Sequence, residues 1–366
     1  MPATLTARLV ADLATLVSCE SPSDDLRATT ECAGLAAQIG EAWLGEKAEQ
    51  VRFSDRVHVR WRFGQASRVL LLGHLDTVWP VGTLARWPFD VTGDRATGPG
   101  VFDMKAGVVQ LLAAASQLDH LDGVTILLTC DEEIGSPAGR AVIAEAIRDA
   151  AAVLVFEPSA DGALKTARKG VAQFRLRVSG RAAHAGLEPE RGVNASVEAA
   201  HQVLAIADLS APELGTTVTP TVLNAGTAVN VVPESATIAV DVRAATISEQ
   251  DRVRAALASL RPVLAGATLT SEPGMSVPPL EAGASERLFS LARATAAELD
   301  LPALRGTAVG GGSDGNFTAA AGVPTLDGLG AVGGNAHAEG EWIAVPAMSE
   351  RAALAAGLIR RILRQP

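Results

Sequence analysis

Three short runs of this chain are apolar without a break: "RVLLLG" at 68–73, "VTILLT" at 124–129 and "AAVLVF" at 151–156. A strand with one wet face alternates apolar and polar residues. A run with no polar member is covered on both faces, as in the parallel sheets of α/β proteins. The intervening stretches, "MKAGVVQLLAAASQL" (104–118) and "SPAGRAVIAEAIRDA" (136–150), are rich in small and aliphatic residues and are expected to be crossover helices. This βαβ series predicts an α/β fold with a mixed, largely parallel sheet flanked by helices.

The middle of the chain changes pattern. "VAQFRLRVSG" (171–180) and "ATIAVDVRA" (236–244) alternate apolar and polar residues, the mark of an antiparallel sheet with one solvated face. A helix over 193–208, a strand over 217–226, a helix over about 248–261 and a strand near 267–272 complete the order β-α-β-β-α-β, which suggests an inserted ferredoxin-like α+β domain. The expected division is 1–168 with 277–366 for the first domain and 169–276 for the insertion, with "SEPGMSVPPLEAG" (271–283) as the exit.

Composition narrows the function. A formal charge of −10, with no Lys/Arg cluster, argues against nucleic acid and anionic membranes as partners. No apolar run is long enough to span a bilayer. The opening "MPATLTARLVADLATLVSCE" has helical periodicity rather than a signal peptide's apolar centre. Cys19, Cys32 and Cys130 are few, odd in number and widely spaced, and read as reduced thiols of a cytoplasmic protein. "GGG" at 310–312 lacks the strand–turn–helix context of a dinucleotide site, which discourages a nicotinamide enzyme.

Ligands of open parallel sheets collect beyond the carboxyl ends of the strands. His74 and Asp76 stand just past the first run, Asp131, Glu132 and Glu133 past the second, and Glu157 past the third. Histidine with several carboxylates and no cysteine cluster suits zinc, and less selectively manganese or cobalt. Taken alone, Glu132–Glu133 also fits the acidic start of a helix and Asp103 a helix cap. Asp131 has no assigned role, and His58, His120 and His201 read as surface or edge residues.

"GHLDTVW", "GPGVFDMKAG", "TCDEEIGS", "FEPS", "GRAAHAG" and "NAHAEGE" occur in that order over roughly residues 70 to 345. Together they resemble the di-zinc metallopeptidase family of carboxypeptidase G, acetylornithine deacetylase, succinyl-diaminopimelate desuccinylase and the aminoacylases, the carboxypeptidase G type above all. The resemblance implies two zinc ions per subunit: His74 and Glu157 on one, Glu133 and His337 on the other, Asp103 bridging both. Two cations would also answer the mutual repulsion of the crowded acids. By the same resemblance Glu132 is the general base, Asp76 orients His74, Glu341 does the same for His337, and the Asp103–Met104 peptide is cis.

His184, in the inserted domain, is implied to stabilise the oxyanion in a partner subunit's site, which makes that domain a lid and the dimerisation element of a homodimer. Arg243 is the candidate clamp for a substrate carboxylate. Asn230 matches a position that contacts substrate, and Gly311, Gly312 and Ser313 belong to a loop whose backbone is placed to meet it, although "GGGSDGN" departs from the Gly-Thr-Asp-Ala form of that loop. The expected substrate is a small N-acyl amino acid or peptide with a free carboxylate. A carboxypeptidase releasing a residue such as glutamate leads, N-acyl-amino-acid deacylase and dipeptidase share its machinery, and a non-catalytic metal or amino-acid binding protein is the reading from another class.

Overall fold

The computed structural model describes residues 2–365. The chain forms two compact units, one from the residues up to Ala167 with Leu280–Val309 and the stretch from Ser313 onward, the other from Arg168–Pro279 with Gly310–Gly312.

The first unit is built on a six-stranded sheet in the order Glu49–Phe53, Arg56–Arg62, Val124–Thr129, Val69–His74, Ala152–Val155, Thr325–Leu326. The last four strands are mutually parallel, and the first two join antiparallel. The unbroken apolar runs have a direct explanation. Leu71, Ile126 and Leu154 enter one core, under helices that include Ala106–Ser116 and Val345–Leu363. Their neighbours Leu70, Leu127 and Val153 enter a second core, which holds Val142 and Ile143 of helix Gly139–Ala146. Each strand residue has a dry side to fill, at about 1.5–3 kcal/mol per buried aliphatic side chain. Val124–Thr129 adds to one side of Val69–His74 and Ala152–Val155 to the other, so the strand order reverses at His74. Such a reversal opens a crevice at the strands' carboxyl ends.

Helix Ala106–Ser116 comes close to that crevice because of Gly107. A Cβ there would lie 2.0 Å from the carbonyl oxygen of Phe156, immediately before Glu157.

The second unit is a four-stranded antiparallel sheet, ordered Thr217–Ala225, Ser235–Ala244, Gly170–Ser179, Thr268–Val277. Helices Ala195–Ala207 and Ile247–Ser259 supply Ala199, Ile206, Val253 and Leu257 to a core shared with Phe174, Leu176, Ile238 and Val240. Element order and sheet order together make it ferredoxin-like. The last strand runs to Val277, where the sequence suggested a linker from 271. It is an edge strand whose register shifts between Pro273 and Ser276, the kind of place a strand tolerates proline. At the unit's ends, Gly170 lies so close to Pro279 that a Cβ would meet the proline nitrogen at 2.8 Å.

The hairpin Glu49–Phe53/Arg56–Arg62 is a further departure. His58, expected at the surface, is fully buried on its second strand, with neither ring nitrogen hydrogen-bonded. Burial lowers its pKa and keeps the ring neutral. Flanking Arg56 and Arg60 are also buried and paired, Arg56 near Asp131 and Arg60 between Glu49 and Glu145. His120 and His201 are exposed.

Candidate metal centre

His74 ends its strand and points Nε2 at Asp103 Oδ1 and Glu157 Oε1, 3.3 Å from each. His337 points Nε2 at Asp103 Oδ2, 3.4 Å away, and at Glu133 Oε2, 3.1 Å away. Asp103 thus offers one oxygen to each histidine. Two groups, His74–Asp103–Glu157 and Asp103–Glu133–His337, present ligand-type atoms within 4.8 Å of one another, and either could hold a metal ion.

Local structure explains each placement. Glu132 and Glu133 begin a 3-10 turn, Glu132–Ile134, after strand Val124–Thr129. Asp76 holds that turn: Oδ1 accepts the Glu132 N–H and Oδ2 the Glu133 N–H, each at 3.1 Å, and Oδ2 also takes the Ser23 hydroxyl at 2.7 Å. His74 Nδ1 lies 2.9 Å from the backbone carbonyl of Asp76 and 3.5 Å from its carboxylate. The imidazole is therefore oriented chiefly by the main chain of Asp76, while the side chain steadies the paired glutamates. Asp131, without a role at the level of sequence, accepts the N–H groups of Ala138 and Gly139 at the start of helix Gly139–Ala146. The Asp103–Met104 peptide is cis. His337 adopts a left-handed backbone with φ 61°, uncommon outside glycine and tolerated by His in short loops.

Glu341 departs from expectation. None of the four groups hydrogen-bonded to its carboxylate is on His337. They are Trp79 Nε1 and the N–H groups of Gly100, Phe102 and Asp103. Two further residues went unread in the sequence. Lys165 places Nζ 3.6 Å from Glu157 Oε2. Asp314 accepts the Thr129 hydroxyl at 2.6 Å and that of Ser136, tying both ends of the acidic segment to helix Asp314–Ala320. Neither lies in a motif with a recognisable spacing to the histidines.

The acids and bases of the centre shift one another's titration. Asp103, Glu132, Glu133 and Glu157 converge on two imidazoles and Lys165, four acids against three basic groups. Burial pushes Glu132 well above the ordinary carboxyl range against the pull of His74, and pushes Glu133 up to about 7 against His337. Asp103 and Glu133 hold the His337 imidazole up at about 11. Burial acts to lower His74, but Asp103, Asp76 and Glu157 outweigh it and raise it. The donor set, hard carboxylates with two imidazoles, is one that zinc, manganese and cobalt accept.

The other expected residues belong mainly to the second unit. His184 is exposed, and its Nδ1 accepts the N–H groups of Gly186 and Leu187 at 3.1 Å. Asn230 is exposed, with its carbonyl bound to the Ala185 N–H. Arg243 forms a two-pronged pair with Asp241, at 2.9 and 3.1 Å. The carbonyls of Gly311 and Gly312 accept Arg168 Nη1. Ser313, in the first unit, is buried, caps helix Asp314–Ala320 and donates its hydroxyl to Asp327.

Two histidines and the acids around them, at the crevice edge of a parallel sheet, form a candidate metal centre of the kind that metal-dependent hydrolases use. Residues 70–361 match peptidase family M20/M25/M40, and the chain belongs to that family. It is 33% identical to carboxypeptidase G2 of Pseudomonas sp. (strain RS-16), over 80% of this chain and 73% of the relative. It is 31% identical to the succinyl-diaminopimelate desuccinylase of Aromatoleum aromaticum, over 60% of this chain and 63% of that one. Among solved structures, aminopeptidase PepT from Bacillus cereus shares the fold with a TM-score of 0.78 at 20% identity, covering 98% of this chain and 99% of the other. Among the described residues no helix is long and apolar enough to cross a membrane.

Proposed function

We propose that this hydrolase is a carboxypeptidase that releases a C-terminal amino acid, such as glutamate, from a small N-acyl or peptide substrate and works with two divalent cations, zinc first among them. The observation that carries the metal reading is the split of Asp103 between His74 and His337. His74 and Glu157 would hold one cation, Glu133 and His337 the other. When bound, the cations would polarise the scissile carbonyl and make an attacking water more acidic.

The chain's own residues supply the rest. Glu132, 4.0 Å from His74 Nε2 and 14% exposed at the edge of the cluster, is proposed to take the water's proton and pass it to the leaving amine. Asp76 keeps Glu132 and Glu133 facing inward. His184 is proposed to donate to the oxyanion from the partner subunit, and Arg243, once released from Asp241, to bind the substrate carboxylate. Asn230, Gly311 and Gly312 are proposed to line the substrate, with Ser313 holding that loop. Exposed Val222 and Leu223 on the edge strand Thr217–Ala225, with exposed Leu204 on helix Ala195–Ala207, support a homodimer formed through the second unit. The three free cysteines support a reducing compartment, the cytoplasm.

The likeness to a desuccinylase favours deacylation of an N-acyl amino acid as the second reading. Incubation of the zinc-loaded protein with peptides and N-acyl amino acids, followed by mass spectrometry, separates the two. Preferential release of C-terminal glutamate from substrates with varied acyl groups is expected. Tight selection of one acyl group with indifference to the amino acid would overturn the carboxypeptidase assignment, and no amine from any substrate would overturn the catalytic one.

A further inference from the structure

We infer that Glu341 is a positioning residue for Asp103, the carboxylate that faces both histidines. The inference rests on the metal-centre reading above and gives one residue outside the ligand set a defined task. Segment Val101–Lys105 departs from helical geometry at Asp103 (φ −113°, ψ 98°) and Met104 (φ −129°, ψ 34°). An irregular buried turn leaves N–H groups without a ladder to join, and each needs an acceptor. Glu341 is that acceptor. Oε1 takes the N–H of Phe102 at 2.7 Å and of Asp103 at 2.8 Å, and Oε2 takes the N–H of Gly100 at 3.0 Å and Trp79 Nε1 at 2.9 Å.

All four partners are donors, and each oxygen serves two of them. A carboxylate meets this demand, whereas the amide of a glutamine turns an NH2 toward two N–H groups in either orientation. Glu341 is fully buried, so the mismatch is not relieved by water. It also stands four residues after His337. One loop therefore contributes a candidate ligand and, through Glu341, sets the backbone from which the shared aspartate projects. Trp79, three residues beyond Asp76, ties the segment after strand Val69–His74 to the same carboxylate.

The test uses the full chain, first stripped of metal with a chelator. Hydrogen exchange over 98–105 is measured by mass spectrometry for wild type, Glu341→Gln and Trp79→Phe, and zinc affinity by calorimetry. Glu341→Gln is expected to speed exchange in 98–105 selectively and to weaken zinc binding about 10–100-fold, the usual effect of losing a group that orients a ligand. Trp79→Phe leaves the three backbone donors satisfied and is expected to stay near wild type in both. A purely structural role would raise exchange throughout the unit instead. Wild-type zinc affinity and wild-type protection in Glu341→Gln would overturn the proposal while the metal reading stands. A wild-type protein that binds no zinc would overturn the metal reading and this proposal with it. Should Glu341→Gln fail to fold, Glu341→Asp takes its place: the charge is kept but the side chain is too short to reach all four donors, and unchanged exchange in 98–105 would count against the inference.

Discussion

Asp76 Oδ2 accepts the backbone N–H of Glu133 at 3.1 Å, so a residue at the end of one strand sets the orientation of an acid at the end of the next. The same carboxylate holds Glu132 through its other oxygen. Asp76→Asn presents an NH2 to one of those N–H groups. A loss of about 1–3 kcal/mol, the cost of an unmatched buried donor, is expected in urea unfolding, together with weaker zinc binding. Unchanged stability and affinity would show that the turn holds without it.

Glu132→Gln removes the proton acceptor and leaves the ligand set intact. Turnover on the best substrate is expected to fall by about 10²–10⁴ while zinc content by elemental mass spectrometry stays at the wild-type level. Near-wild-type turnover would refute the assignment of Glu132 as the base.

Gly107→Ala sets two effects against each other. Helix propensity alone would favour alanine by about 1 kcal/mol. The added methyl, however, would sit 2.0 Å from the Phe156 carbonyl oxygen, a backbone atom that cannot swing away. Overpacking of this kind costs about 1–3 kcal/mol, so a net loss of stability is expected, with zinc binding impaired through the displaced Glu157. A more stable variant would mean that the strand end yields freely.

Glu198, buried in the second unit, accepts the N–H groups of Val263 and Leu264 and the amide of Gln202. Burial works against its charge, but these donors prevail and its pKa lies below the ordinary 4.5. The unfolded chain therefore binds the proton more readily. The stabilisation is fully present above the unfolded pKa and is lost as pH falls through the lower folded one. Urea unfolding of wild type is expected to weaken more between pH 6 and pH 3 than that of Glu198→Gln, an interval chosen to span the carboxylate range. Equal weakening would remove Glu198 from the acid response.

The parts of the fold legible in the sequence are those where burial leaves no ambiguity. Val69–His74, Val124–Thr129 and Ala152–Val155 have both faces dry, so no polar residue interrupts them. The hairpin was hidden by its charges. In "RVHVRWR" the residues Arg56, His58 and Arg60 alternate like a wet face, yet all three are buried, the arginines because partners from distant segments neutralise them. Its turn passes through Ser54 at φ 53°, without the glycine or asparagine that usually announces such a turn. The residues of the two candidate groups were legible through the motifs that carry the family resemblance. What supports them was not: Glu341 stands in the right motif, but only the folded chain reveals that its partners lie 238 to 262 residues away, and Asp314 owes its place to Thr129 and Ser136 in a segment 178 residues or more distant.

The near-contact of Gly170 with Pro279 means that the polypeptide departs for the ferredoxin-like module and comes back through a single doorway. Thr166 and Ser285, on either side of that doorway, are already joined by a 2.6 Å hydrogen bond. A splice of a few residues in place of the module would leave every proposed ligand in its native order, from His74 to His337. The architecture thereby keeps the proposed ligands and the inserted module on separate stretches of gene, so that either can be altered while the other is left in place.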